Sequence, residues 1–184
     1  MLLTDFNALT DADATALLRT CADVPWWADT VAASRPFDDV DALVAFAGAQ
    51  AEAWGTADVE AALADHPRIG ERHRTAGASA DLSAREQSGV DPADAQVAAR
   101  LAAGNLRYEQ RFGRVFLVRA AGRSAAQMLD LLEQRLGNDE HTEAVVTAQQ
   151  LREIATLRLA TMVTTAATVD DAVDAPPVTE GSDA

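Results

Sequence analysis

Histidines are the side chains in this sequence best suited to proton transfer near neutral pH. There are three of them, His66, His73 and His141. His66 opens the segment 66–70, which reads His-Pro-Arg-Ile-Gly, and the proline restricts the backbone of the residue before it. An imidazole on such a constrained main chain is a candidate general acid or base. The alternative, a histidine that binds the last carbonyl groups of a helix, is left open by these residues alone.

A second polar group lies at Ser83 and Glu86. Their spacing matches a capping box, in which the serine accepts from the backbone and the glutamate reaches back to the start of the helix. That interpretation needs no active site. The capping box does not explain Gln87 and Gly89, so the second interpretation is that these neighbouring residues form part of a functional site.

Arg158 is the third candidate, in a stretch whose apolar side is marked by Ile154 and Leu157. The ordinary interpretation is a surface arginine whose stem lies along apolar surface. The other is a guanidinium that faces a pocket and binds a carboxylate through two parallel hydrogen bonds.

Several kinds of chemistry are excluded by residue types and spacing. All fifteen basic residues are arginine, which excludes a lysine Schiff base and lysine-anchored pyridoxal phosphate. His66 and His73 are seven residues apart with Gly70 between them, so they do not have the spacing of paired metal ligands on a helix, and we expect no metal site. Cys21, the single cysteine, can form neither an internal disulfide nor a Cys-x-x-Cys motif and is expected to be buried.

Charge and hydropathy predict a cytoplasmic protein, and they leave an anionic small molecule possible as a partner if a few arginines line one pocket. The net charge of -14 argues against binding nucleic acid or an anionic membrane. Residues 1–5 lack the basic start and apolar run of a signal peptide, and no stretch approaches the ~20 apolar residues of a membrane span. Residues 181–184 do not form a peroxisomal tripeptide.

The elements that position these side chains are predicted to be helices, because alanine is frequent and aromatic residues make up only 5% of the chain. The expected fold is all-α, a compact helical bundle over residues 1–165. Pro25 and Pro36 are predicted to lie in turns. Capping and stop signals place helices at 11 to about 24, 39–54, 56–63, 91–112, 124–136 and 138–165.

Three stretches are predicted not to be helical. The apolar, β-favouring residues near 115–119, which lie between Gly113 and Gly122, predict a short extended segment. Residues 68–82 predict a long loop. The acidic, proline-containing residues 166–184 predict a disordered C-terminal tail.

Six motifs in this order give the chain a family resemblance: it resembles the OHCU decarboxylases of purine catabolism. They convert 2-oxo-4-hydroxy-4-carboxy-5-ureidoimidazoline to S-allantoin. The motifs are Ser-Arg-Pro-Phe at 34–37, His-Pro-Arg-Ile-Gly at 66–70, Ser-Ala-Arg-Glu-Gln-Ser-Gly at 83–89, Tyr-Glu-Gln-Arg-Phe-Gly at 108–113, Arg-Leu-Gly-Asn-Asp at 135–139 and Glu-Ile-Ala-Thr-Leu-Arg-Leu at 153–159.

The resemblance implies a helical bundle that is commonly homodimeric and uses neither a metal nor an organic cofactor. It implies that His66 is the catalytic histidine and Glu86 its acidic partner. The substrate contacts that it implies, some of them through main-chain groups, are Pro67, Ser83, Ala84, Arg85, Gln87, Phe116, Leu117, Val118, Arg119, Ala120 and Arg158. The chain departs from the family at Arg114-Val115, where relatives often carry an aromatic residue and a proline.

Two alternatives from the sequence remain open at this point. One is a non-catalytic helical interaction domain, in which Ser83 and Glu86 only cap a helix and His66 only ends one. The other is a related enzyme that acts on a different ureido compound with the same scaffold.

Overall fold

The computed structural model describes residues 1–63, 95–120 and 122–165. The predicted loop at 68–82 and the predicted tail at 166–184 lie outside these residues and stay predictions, as does the proposed extent of the helical domain. Within the described part of the chain, no helix is both long enough and apolar enough to cross a membrane.

Eight α-helices make up most of the described residues, which contain no β-strand and a single isolated bridge between Leu2 and Thr164. This confirms the all-α prediction. The helices are α1 Leu3–Ala8, α2 Asp11–Cys21, α3 Pro25–Ala33, α4 Val40–Ala51, α5 Thr56–Leu63, α6 Ala95–Phe112, α7 Ala125–Arg135 and α8 Glu140–Met162.

Local capping signals set several of the helix ends, as the sequence predicts. The side chain of Asp39 accepts from the third backbone N–H of α4, Ser124 forms a full capping box with Gln127 at α7, and Asp139 caps α8. Helix α6 ends at Phe112, and Gly113 follows with a φ of 66°, a left-handed conformation that glycine adopts without steric cost.

Two helices were missed. Helix α1 has only six residues, too few for a periodic pattern. Pro25 begins α3 instead of lying in a turn, because the first helical position needs no N–H donor. The cap of α2 is Thr10, whose hydroxyl accepts from Asp13 N at 3.2 Å, one residue before the predicted start at 11. Pro36 does lie between α3 and α4.

Helix α8 is the element against which α2, α4 and α5 pack. Its buried residues recur every three or four positions, as expected for one face of a helix. They are Glu143, Thr147, Leu151, Ile154, Ala155, Arg158 and Leu159. The apolar members of this face join α1 to α5 in a first hydrophobic cluster, which also contains the buried Cys21. The buried face of α8 thus carries a charged residue near each end.

Helices α6 and α7 pack on each other to form a second hydrophobic cluster. Gly104 of α6 faces Leu132 of α7 so closely that a Cβ at this position would collide with the leucine side chain. The close approach buries Tyr108 and Phe112 of α6 beside Phe116.

Residues 115–120, which belong to no helix, run between the two clusters. Phe116, Val118 and Ala120 pack in the second cluster, whereas Leu117 packs in the first. Alternation of this kind is the side-chain pattern of an extended chain. It agrees with the extended segment expected near 115–119, although no neighbouring strand pairs with it among the described residues.

Candidate active site

Two parts of the predicted site lie in the described residues, the segment 116–120 and Arg158. The other predicted site residues, His66, Pro67, Ser83, Ala84, Arg85, Glu86 and Gln87, lie outside them. Their roles stay predictions, and the geometry below concerns the segment, Arg158 and the helices that position them.

Arg158 is only 2% exposed, so the interpretation of it as a surface arginine is wrong. It lies on the buried face of α8 together with Ile154 and Leu151. Its Nη1 donates to the carbonyl oxygen of Cys21, at the C-terminal end of α2, at 3.3 Å. The last carbonyl groups of a helix have no partner within the helix and carry partial negative charge, which favours a cation at this position.

The segment 116–120 has main-chain groups that differ in their hydrogen bonding. Leu117 O accepts from Arg135 Nη1 at 2.5 Å, and Arg119 N donates to Gln150 Oε1 at 3.0 Å. Arg119 O accepts from the guanidinium of Arg123. The main-chain N–H and C=O of Val118 take part in none of the hydrogen bonds found among the described residues, although this residue is buried. Buried main-chain groups are almost always paired, so the main-chain groups of Val118, and those of the neighbouring buried Phe116, which also take part in none of these hydrogen bonds, are candidates for binding another molecule.

Helix α8 links the two described parts of the site. Gln150 of this helix binds the segment, and Arg158 lies eight residues further along the same helix, which corresponds to a rise of about 12 Å. Helix α8 thus carries both a residue that binds the segment and Arg158.

An open groove of about 500 Å³ lies beside this region. Its lining residues come from α4, α8 and the segment, and they are Val44, Arg119, Glu153, Thr156, Leu157 and Ala160. Arg119 Nε is buried in the described structure without a hydrogen-bond partner. Within residues 1–63, 95–120 and 122–165, no three His, Cys, Asp or Glu side chains are close enough together to hold a metal ion.

A buried polar network, which the sequence reasoning missed, supports the segment from α7 and α8. Glu143 is fully buried and pairs with Arg135, whose Nε and Nη2 donate to Glu143 Oε1 at 2.8 and 2.5 Å. The hydroxyl of Tyr108 donates to the same oxygen, and Asn138 Nδ2 donates to Glu143 Oε2 at 2.7 Å. The sequence did indicate that Glu143 is buried, because Glu143 lies in helical register with Leu151 and Arg158 on the buried face of α8.

Tyr108, the only tyrosine of the chain, is expected to titrate far above its ordinary pKa of about 10. Burial raises the pKa of its hydroxyl to about 12, against the opposing effect of the nearby Arg135. The folded protein keeps this proton where the unfolded chain loses it, so the free energy of unfolding should fall between about pH 10 and about pH 12. Ultraviolet absorbance of tyrosinate in the folded and the urea-unfolded protein measures both pKa values. A folded value equal to the unfolded one contradicts the expected effect of burial.

Comparison with known proteins decides the family. The family model described as OHCU decarboxylase matches residues 7–160. The chain belongs to the OHCU decarboxylase family. A 2-oxo-4-hydroxy-4-carboxy-5-ureidoimidazoline decarboxylase from Amia calva is 31% identical over 137 residues, which cover 73% of this chain and 78% of the relative. The enzyme of the same name from Haloferax volcanii is 29% identical over 137 residues, or 74% and 80% of the two chains.

Two solved structures share this fold. A crystal structure of OHCU decarboxylase in the presence of (S)-allantoin superposes with a TM-score of 0.64 at 23% identity, covering 78% of this chain and 94% of the other. A crystal structure of (S)-allantoin synthase gives the same TM-score at 18% identity, covering 89% of this chain and 54% of the other. At these identities the match shows the fold.

Two of the motifs that carry the family resemblance supply the buried network. Tyr108 opens the motif at 108–113, and Arg135 and Asn138 belong to the motif at 135–139. A third motif, at 34–37, places Arg35, whose Nη1 donates to the carbonyl oxygens of Phe6 and Leu9 at 3.1 and 2.6 Å. In this OHCU decarboxylase family member, the motifs at 108–113 and 135–139 support the segment, whereas the motif at 34–37 binds the end of α1.

Proposed function

We propose that this chain catalyses decarboxylation of 2-oxo-4-hydroxy-4-carboxy-5-ureidoimidazoline to S-allantoin in urate degradation. The observation that carries the proposal is the match of the OHCU decarboxylase family model across residues 7–160. A relative from Arabidopsis thaliana named as a uric acid degradation bifunctional protein is 32% identical over 103 residues, which are 54% of this chain and 32% of that protein. Its name agrees with the same metabolic role.

The reaction can proceed without a cofactor because the substrate contains its own electron acceptor. The carboxylate is on a hydroxyl-bearing ring carbon next to a C=N bond. When the carbon–carboxylate bond breaks and CO2 leaves, its electron pair moves into the adjacent imine, whose nitrogen takes up a proton, and an enol-like intermediate forms. The hydroxyl oxygen then loses its proton to become the carbonyl, and the neighbouring carbon gains a proton on one face to give the S product.

His66 and Glu86 are the residues proposed to move these protons. His66, constrained by the following proline, would accept the hydroxyl proton and deliver or relay the stereospecific one, with Glu86 as its acidic partner. The support is their position in the family motifs at 66–70 and 83–89 and the ability of an imidazole to exchange protons near neutral pH.

Main-chain and arginine contacts are proposed to orient the substrate. The substrate carries a ureido group and ring amides, each a planar array of N–H donors and C=O acceptors. The N–H and C=O of Val118, which no described residue binds, are complementary to such an array. Pro67, Ser83, Ala84, Arg85 and Gln87 complete the proposed contacts.

Arg158 is proposed to hold a carbonyl or an anionic group of the substrate. Its guanidinium is buried beside the end of α2, and a guanidinium can bind a planar acceptor group through two hydrogen bonds. A position close to the departing carboxylate would oppose decarboxylation, because the negative charge on that group disappears in the transition state. The proposal therefore leaves open which of the other groups it contacts.

The test of the function is a stereochemical assay. The freshly generated product of urate oxidation is mixed with the protein, and the circular dichroism of allantoin is followed over time. We expect a faster appearance of optically active S-allantoin than in the absence of protein. Formation of racemic allantoin at the uncatalysed rate would refute the proposal.

Replacing Arg158 by lysine is expected to lower kcat/KM roughly 10- to 100-fold. A lysine keeps the charge but cannot make the two parallel hydrogen bonds of a guanidinium, and hydrogen bonds to charged groups contribute about 1.5–3 kcal/mol. The matched control is Arg152→Lys on the same helix, where Arg152 binds Ala51 O and Glu52 instead. Steady-state kinetics and thermal unfolding of both variants measure the effect, and equal kinetics in the two variants would remove Arg158 from the site.

The cytoplasmic location predicted from charge and hydropathy and the homodimeric state implied by the family resemblance are further parts of the proposal. Sedimentation equilibrium of the purified protein distinguishes a dimer from a monomer. A mass equal to that of one chain at assay concentrations would reject the dimer.

A further inference from the structure

Main-chain groups of the segment 116–120 form hydrogen bonds with side chains. In a β-sheet, a neighbouring strand would bind such groups. Arg135 Nη1 donates to Leu117 O at 2.5 Å, and Gln150 Oε1 accepts from Arg119 N at 3.0 Å. In a β-ladder, residues that exchange main-chain hydrogen bonds with one partner alternate with residues whose groups face the other way. Leu117 and Arg119 are two residues apart in a segment with the alternating side-chain pattern of an extended chain, so their main-chain groups are expected to face one edge and those of Val118 the opposite edge.

Both of these side chains are themselves held in place. Gln150 Nε2 donates to Glu153 Oε2 at 3.2 Å, which leaves the amide oxygen directed at Arg119 N. Arg135 is fixed by its ion pair with the fully buried Glu143. The main chain of the segment is therefore held by two side chains that are themselves fixed, one from α7 and one from α8.

We propose that Gln150 and Arg135 are positioning residues, which hold the Leu117 and Arg119 edge of the segment so that the Val118 edge can bind the amide groups of the substrate. They touch the main chain and not the substrate. The inference rests on the proposed function, because it assigns the Val118 edge to that substrate. It extends the site by two residues that lie outside the motif at 66–70 and the motif at 83–89.

Gln150 allows a clean test because the chain contains a matched control one residue away. Gln149 Nε2 also donates to Glu153, at 3.2 Å, but the structure gives it no contact with Arg119. Gln150→Met and Gln149→Met each remove one hydrogen bond to Glu153. Only Gln150→Met removes the acceptor for Arg119 N.

We expect KM of Gln150→Met to rise roughly three- to tenfold with kcat nearly unchanged, the range that corresponds to the net contribution of one hydrogen bond. A weakened amide contact affects the ground state and the transition state alike, which changes KM rather than kcat. Gln149→Met should keep the kinetics and the melting temperature of the original chain, whereas Gln150→Met should lower the melting temperature by only a few degrees, about the net effect of one hydrogen bond. Equal KM values for the two variants would overturn the positioning role.

A second measurement separates this inference from the proposed function. Amide hydrogen exchange of Arg119, followed in the ligand-free protein, should be faster in Gln150→Met than in Gln149→Met, because only the former exposes this N–H. If the original chain fails to form S-allantoin, the proposed function falls, and with it the assignment of the Val118 edge to this substrate. If the exchange rate of the Arg119 amide is the same in Gln150→Met as in the original chain, Gln150 does not hold the segment, whatever the activity of the variant.

Discussion

Replacing Glu143 by glutamine is expected to lower the free energy of unfolding by about 3–5 kcal/mol, the usual cost of removing one partner of a buried ion pair. The carboxylate accepts from Tyr108, from Arg135 twice and from Asn138. A glutamine has a single acceptor oxygen and would direct its NH₂ group at donors. The guanidinium of Arg135, only 6% exposed, would remain charged without its counter-ion. Urea unfolding followed by far-ultraviolet circular dichroism measures the change.

An exposed ion pair between the neighbouring helices α6 and α7 provides the control. Arg100 and Glu133 are 2.7 Å apart, with side chains 54% and 42% exposed. Removing the charge by Glu133→Gln should change the free energy of unfolding by no more than about 1 kcal/mol, because solvent screens an exposed pair. If Glu143→Gln lowers the free energy of unfolding no more than Glu133→Gln does, the argument from burial is wrong.

The double substitution of Arg135 and Glu143 by methionine tests why the free energy of unfolding falls when Glu143 is replaced. It is expected to be less destabilising than the sum of the two single methionine changes, because neither buried charge is left without its partner. Strict additivity in the double-mutant cycle would mean that the two side chains are not coupled. The same network holds Leu117 O through Arg135, so the stability of the core and the shape of the proposed substrate edge depend on one set of contacts.

Most helix ends could be predicted from the sequence because they are set by neighbouring residues. Asp39 and Ser124 each accept from a backbone N–H three positions later, and such a cap is visible as a short spacing. Gly113 ends α6 for an equally local reason, its positive φ. Helix α3 was missed because a proline at its start was interpreted as a turn signal, although proline is well suited to the first position of a helix.

The candidate site could be predicted only in part because its contacts join distant residues. The burial of Arg158 depends on α2 packing against α8, and its recorded partner Cys21 is 137 residues away. Glu143 and Arg135 are only eight residues apart, but the chain turns between α7 and α8 to bring them together. Periodicity along α8 indicates that Glu143 and Arg158 face the core. It does not indicate what each of them meets there.

His66→Ala is expected to lower kcat/KM by roughly 10²–10⁴-fold, the typical contribution of a positioned general acid or base. The imidazole is proposed both to accept the substrate hydroxyl proton and to direct a proton to one face of the intermediate. The variant should therefore lose enantiomeric excess as well as rate, because solvent can reach both faces of the intermediate. Circular dichroism of the allantoin that is formed measures the two quantities in one experiment.

Two variants make the assignment of His66 specific. His141, exposed in the first turn of α8, supplies the control: His141→Ala removes an imidazole of the same chain and should leave rate and stereochemistry unchanged. Glu86→Gln can still cap a helix but loses the charge of a catalytic partner, so a loss of kcat at an unchanged melting temperature favours catalysis over capping. If folded His66→Ala retains full turnover, the proton-transfer role fails. If it loses rate but still forms pure S-allantoin, His66 removes the hydroxyl proton and another group delivers the stereospecific one.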